Sequence, residues 1–172
     1  MLLGMTAASN SLNGRFGPLD GGYALAAAWT GQEFQGRIGS FLNGMDVRIG
    51  ATPTGLTGRV GGVSFGFDVE AEVAGTRMQG RLGSYLDGTD FVLEFTPEGA
   101  AGRIGGVLDG QDMTLQLYAG EVRGRLGGVT QGWDVRMDLG AVPFPLAALL
   151  AVCAHRVQTE SQRAAQDARR QG

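Results

Sequence analysis

Apolar and polar positions alternate along most of the chain with a period of two. Val69, Ala71 and Val73 interleave with Glu70 and Glu72, and Phe91, Leu93 and Phe95 interleave with Val92 and Glu94. Met78, Gly80 and Leu82 likewise stand against Gln79, Arg81 and Gly83. Such alternation is the mark of strands with one face buried. The pattern recurs at a fixed spacing of 22 residues, carried by the doublets Gly14-Arg15, Gly36-Arg37, Gly58-Arg59, Gly80-Arg81, Gly102-Arg103 and Gly124-Arg125. A period of that length defines a repeat protein, here with two strands per repeat.

Asn43-Gly44, Asp87-Gly88 and Asp109-Gly110 link the two strands of a repeat. These dipeptides accept positive φ at both turn positions and predict two-residue type I′ hairpins. Counted outward from Asp87-Gly88, that register sets Leu82 opposite Leu93 and Arg81 opposite Glu94, and likewise Arg59 opposite Glu72 and Arg125 opposite Asp138. Segments such as Thr52-Pro53-Thr54-Gly55 and Thr96-Pro97-Glu98-Gly99 predict four-residue turns to the next repeat. A parallel β-helix is the rival reading, but it would stack six arginines about 4.8 Å apart, whereas a meander separates them by an intervening strand. The expected strand count is twelve or thirteen. Leu3, Met5 and Ala7 continue the inward pattern, and twelve strands close without a parallel pair, so Met1 to Ser9 is expected outside the cylinder.

After the last strand, Pro143-Phe144-Pro145 introduces Leu146 to Ala154, a run apolar on every face. A helix without a polar stripe lies in a membrane or inside protein. The apolar stretch from Ala141 to Ala154 is shorter than the roughly 17 to 25 residues that span a bilayer, so enclosure is expected. Twelve strands tilted by roughly 40° leave a bore about 11 Å in radius, wide enough for a helix. The inward Gly14, Gly36, Gly58, Gly80, Gly102 and Gly124 are expected to clear its path. The sequence therefore predicts an all-β closed antiparallel barrel of about twelve strands with a hydrophobic helix through its centre. Residues 1–157 form the single barrel domain including a core helix over 144–157, and 158–172 form a polar, frayed C-terminal tail.

This series of hairpins from Leu12 to Leu139, followed by Pro143-Phe144-Pro145-Leu146-Ala147-Ala148-Leu149-Leu150-Ala151-Val152, resembles the tubby-like barrel superfamily, which includes tubby C-terminal domains, phospholipid scramblases and LURP-one-related proteins. The resemblance implies a twelve-stranded antiparallel barrel threaded by its C-terminal helix and a binding role. It carries no site residue over to this chain.

Charge narrows the choice of partner. The 14 basic residues are all arginine, as in proteins of GC-rich bacterial genomes, against 17 acids, for a net charge of -3. Neither part of the chain carries a nucleic-acid footprint. Cys153 is the single cysteine, so no intrachain disulfide forms and a cytoplasmic setting is the simplest assignment. Met1 to Ser9 lacks a cationic start and is too short for a secretory signal.

With one His and one Cys, no Ser-His-Asp, Cys-His or zinc arrangement can be assembled, and the chain reads as non-enzymatic, without metal or cofactor. Asp46, Asp68, Asp90, Asp112 and Asp134 follow turn glycines but miss calcium-repeat spacing, and read as turn and strand-end residues. The expected register places Arg37 opposite Gly50 and Ala26, Arg15 opposite Ala28, and Arg48 beside Arg59. Closure would bring Arg136 next to Arg15. The candidate ligand-binding residues are thus a cationic stripe of Arg15, Arg37, Arg48 and Arg136, contacting anionic lipid head groups peripherally at a membrane, or an acidic protein partner. The alternative is a structural or assembly protein built on a parallel β-helix or open meander.

Overall fold

The computed structural model describes residues 9–18, 20–40 and 42–172. Twelve strands run in chain order: β1 (Ser11–Phe16), β2 (Tyr23–Trp29), β3 (Glu33–Ile38), β4 (Met45–Ala51), β5 (Gly55–Gly61), β6 (Gly66–Ala74), β7 (Arg77–Leu82), β8 (Thr89–Thr96), β9 (Gly99–Ile104), β10 (Gln111–Tyr118), β11 (Glu121–Leu126) and β12 (Trp133–Asp138). Each pairs antiparallel with its sequence neighbours, and β1 pairs with β12 to close the barrel. The parallel β-helix is thereby excluded. The expected thirteenth half-repeat, with Leu3, Met5 and Ala7, lies outside the described residues.

A single helix, α1 (Phe144–Arg170), follows β12. Gly140, at φ 55°, turns the chain inward over the rim, and Ala141 N–H donates to the Ser9 carbonyl there. Pro143 and Pro145 suit the first turn, where backbone N–H groups have no helical partner. Phe144 meets Phe95 edge-on at 5.6 Å. Leu146 to Ala154 is buried on all sides, and α1 touches both β1 and β7, which face each other across the ring. The helix therefore runs along the barrel axis. Inward residues of every strand, among them Phe16, Phe34, Ile49, Met78 and Phe91, form one core around it.

Three expectations need correction. The core helix does not stop at 157: it is continuous to Arg170, and residues 161–172 are exposed but helical up to that point. Nor do the inward glycines make room for the helix. A Cβ at Gly102 would lie 1.9 Å from the Val92 carbonyl oxygen and 2.8 Å from Leu93 Cδ2, both on the adjacent strand. Gly14, Gly58, Gly80 and Gly124 meet neighbouring-strand carbonyls in the same way, so these glycines allow adjacent strands to approach.

The third correction concerns register. Asp87-Gly88 does not close a two-residue hairpin: the ladder ends at Leu82 opposite Thr89, leaving residues 83–88 as a six-residue loop. Arg81 faces Asp90 in place of Glu94, Arg59 faces Asp68 in place of Glu72, and Arg125 faces Asp134 in place of Asp138. Gly83, at φ 94°, leaves the ladder early, and its N–H donates to the Asp68 carbonyl on the other side. The offset is four residues. Because four is even, every side chain keeps its expected face. The type I′ geometry appears at the opposite rim, where Ala119 (φ 51°) and Gly120 (φ 78°) join β10 to β11.

Candidate functional site

The two rims are built differently. Where α1 enters, the connections are short, as at Gly75-Thr76, Pro97-Glu98 and Ala119-Gly120. Where it leaves, the longer loops begin, and five of them are held by one repeated device. In Arg37, Arg59, Arg81, Arg103 and Arg125, Nη1 donates to the aspartate nine residues on, at 2.5 to 2.7 Å. Nε of the same five donates to the carbonyl three residues on, and Nη2 takes further loop carbonyls such as Tyr85 O and Val107 O. The planar fork of arginine suits this task and the ammonium of lysine does not. In the first repeat Ala24 stands at the aspartate position, and Arg15 Nη2 donates to the Pro18 carbonyl.

These contacts locate the four candidate arginines. Arg15 and Arg136 are paired across the closing seam, and Arg48 lies beside Arg59, both as the sequence implied. Arg15 faces Ala24 rather than Ala28 on β2, and Arg37 faces Ala26 as expected but Asp46 rather than Gly50. The outward face of β2, with Ala24, Ala26 and Ala28, separates Arg37 from the seam. Arg136 also reaches the Glu121 carboxylate at 2.8 Å, which accepts from Arg123 as well. The Arg123 hydrogen bond holds the Glu121 carboxyl below its ordinary range. The structure brings two of the four together and gives two of them carboxylate partners.

The exit rim carries a feature that sequence reading missed. Among the described residues Leu42, Val63, Phe65, Tyr85, Leu86, Val107, Leu108 and Val129 sit on its loops with 81 to 99% of their surface in solvent. Elsewhere among the described residues the exposed large apolar side chains are Tyr118, at 84%, and Val73, at 42%. Apolar residues between turn glycines, where polar ones are usual, were the available signal. The two-residue hairpin assignment hid them by treating Leu86 and its equivalents as strand residues.

Inside this crown the mouth of the barrel is asymmetric. The last inward-rim positions are Tyr23, Met45, Phe67 and Trp133 on one side, and Thr89 and Gln111 on the other. The polar pair faces the polar residues of the emerging helix. Arg156 Nη1 donates to Thr89 Oγ1 at 2.7 Å, Nη2 to the Asp87 carbonyl at 2.9 Å and Nε to Glu160 at 2.9 Å, while its guanidinium lies 5.8 Å from the Phe67 ring centre. Two clefts of about 690 and 520 Å³ flank the helix here and share Asp109, Gln111, His155 and Thr159. Burial lowers the His155 pKa, because desolvation penalises the imidazolium. Cys153, two residues deeper, is fully buried, and desolvation pushes its thiol up to about 12.

Among the described residues no cluster of three metal-ligating side chains occurs, and no helix is long and apolar enough to cross a membrane. Protein-family models, curated proteins and solved structures yield no match to this chain.

Proposed function

We propose that the chain is a non-enzymatic, tubby-like binding module that docks through its apolar crown onto a protein partner presenting an apolar recess edged with basic residues. The observation carrying this reading is the ring of solvent-exposed apolar loop tips at one rim only. Large apolar side chains gathered in solvent on the loops of one rim mark a contact site. The six exit loops carry Asp20, Asp87 and Asp109 and no cation, which favours a basic edge on the partner and disfavours an anionic bilayer.

Shape supports the same choice. From Arg156 to Arg170 the helix rises about 21 Å, whereas a six-residue loop that doubles back reaches about 10 Å. A flat bilayer could meet the whole crown only by burying a helix end that is polar on every face. A recessed protein surface accommodates both. A cytoplasmic setting belongs to this reading. A second reading places anionic head groups on the barrel wall, favoured by the row of Arg15, Arg136 and Arg123 on three adjacent strands.

Photocrosslinkers at Leu108 and Val63, with Val92 on the wall as control, test the proposal in cells expressing the protein. Protein adducts specific to the crown and abolished by the double reversal Asp87→Lys, Asp109→Lys are expected. Lipid adducts, or adducts indifferent to that reversal, would overturn it. Flotation with anionic vesicles tests the second reading, which requires binding that is lost on Arg136→Glu.

A further inference from the structure

The larger of the two mouth clefts contains polar groups for which the fold supplies no partner. Gln158 is only 6% exposed, yet its side-chain amide makes no hydrogen bond to any described residue. The His155 imidazole also has none. Both line the cleft of about 690 Å³. Polar groups this buried in folded proteins are almost always satisfied, so the Gln158 amide, whose polar atoms still reach the open space of the cleft, takes its partner from there.

The remaining lining defines what that partner is. Gln111, Gln131 and Gln162 add amides, each able to donate and accept, which matches hydroxyl groups that do both. The ionised groups are Asp109 and Arg169, one of each sign, so no excess charge selects a phosphate or a cation. Trp133 lines the cleft and is held in place by Phe16 at 5.2 Å and Tyr23 at 5.9 Å between ring centres. A fixed aromatic wall beside a bank of amides suits a ligand with apolar C–H faces and polar edges. The cleft size falls within the roughly 300 to 1,000 Å³ typical of small-molecule sites.

We propose that this cleft binds a neutral polyhydroxylated ligand of mono- or disaccharide size, hydrogen-bonded by Gln158, Gln111 and Asp109 and walled by Trp133. The site lies within the mouth, inside the crown, and shares only Asp109 with the protein docking proposed above, so the Gln158 variant separates the two. Thr130 and Gln131 stand where the two preceding repeats have Leu86-Asp87 and Leu108-Asp109, and both line this cleft.

The test uses the full chain carrying Trp29→Phe, which leaves Trp133 as the sole tryptophan reporter. Neutral hexoses, N-acetylhexosamines and their disaccharides are titrated while Trp133 fluorescence and its indole N–H resonance are followed, with glycerol as control. A saturable shift is expected for at least one sugar, weakened about tenfold by Gln158→Leu, the worth of one neutral hydrogen bond. Asp109→Asn, on an exposed loop, should weaken it similarly and decides between the outcomes if the buried variant fails to fold. No saturable shift with any sugar, an equal response to glycerol, or binding unaffected by both substitutions would overturn the proposal.

Discussion

Replacing Gly102 by Ala tests the finding that the inward glycines govern strand approach. The new Cβ would stand 1.9 Å from the Val92 carbonyl oxygen, about 1.1 Å short of the 3.0 Å that real Cβ contacts respect. The obstacle is backbone, and neither β8 nor β9 is an edge, so relief requires displacing paired strands in a closed ring. Overpacking of this kind costs about 1–3 kcal/mol. With a backbone obstacle the upper figure applies, and removing a strand glycine returns about 0.5–1 kcal/mol. The net loss is about 2 kcal/mol, or roughly 4–8 °C in Tm for a chain of this size.

Gly50 is the control. The nearest atoms to its added Cβ are at 3.9 and 4.0 Å, so Gly50→Ala meets no obstacle and should stabilise by about 0.5–1 kcal/mol. Urea unfolding followed by tryptophan fluorescence separates the two variants by about 3 kcal/mol, with an unchanged denaturant slope. A Gly102→Ala barrel as stable as the parent, or a Gly50→Ala barrel equally weakened, would refute the reasoning.

A chain ending at residue 160 should keep a cooperative melt, because the residues beyond are exposed, whereas one ending at 142 should lose it. The second truncation removes Leu146, Leu149, Leu150 and Val152, whose burial is worth about 1.5–3 kcal/mol each, and leaves an empty bore. Arg81→Met should speed amide exchange across residues 84–88 while costing little in global stability, since the exposed pair with Asp90 contributes about 1 kcal/mol at most; exchange unchanged by the substitution would contradict the stapling role. Cys153, with its thiol pushed up to about 12 and fully buried, should react with aromatic disulfides only at the rate of unfolding, which a thiol-release assay measures. His155 has its pKa lowered below the ordinary 6.5, so as pH falls below about 6.5 the unfolded chain takes up a proton that the folded one refuses. Stability should therefore decline from there down to the folded pKa, and His155→Gln should flatten that segment of the stability curve relative to the parent.

Much of the architecture was legible in the chain. The alternation at Val69 to Val73 and Phe91 to Phe95 specified which faces turn inward, because successive strand side chains must point to opposite sides whatever the partner strand. The 22-residue period specified two strands per repeat, and the all-apolar run from Leu146 to Ala154 specified enclosure, because such a helix has no face to give to water. Register was decided by tertiary structure. Asp87-Gly88 has a hairpin signature, but Arg81 reaches across to Asp90 and to the Ser84 and Tyr85 carbonyls and holds the segment open as a loop. Local propensity cannot report a guanidinium bridging two strands. The error of four residues left the faces intact and concealed the crown. The mouth was equally beyond local pattern: Thr89 and Gln111 read as ordinary strand starts until Arg156 and His155, far along the chain, arrive beside them. Periodicity follows from covalent geometry within a strand, whereas loop position, seam and cleft follow from contacts between residues that only closure of the barrel brings together.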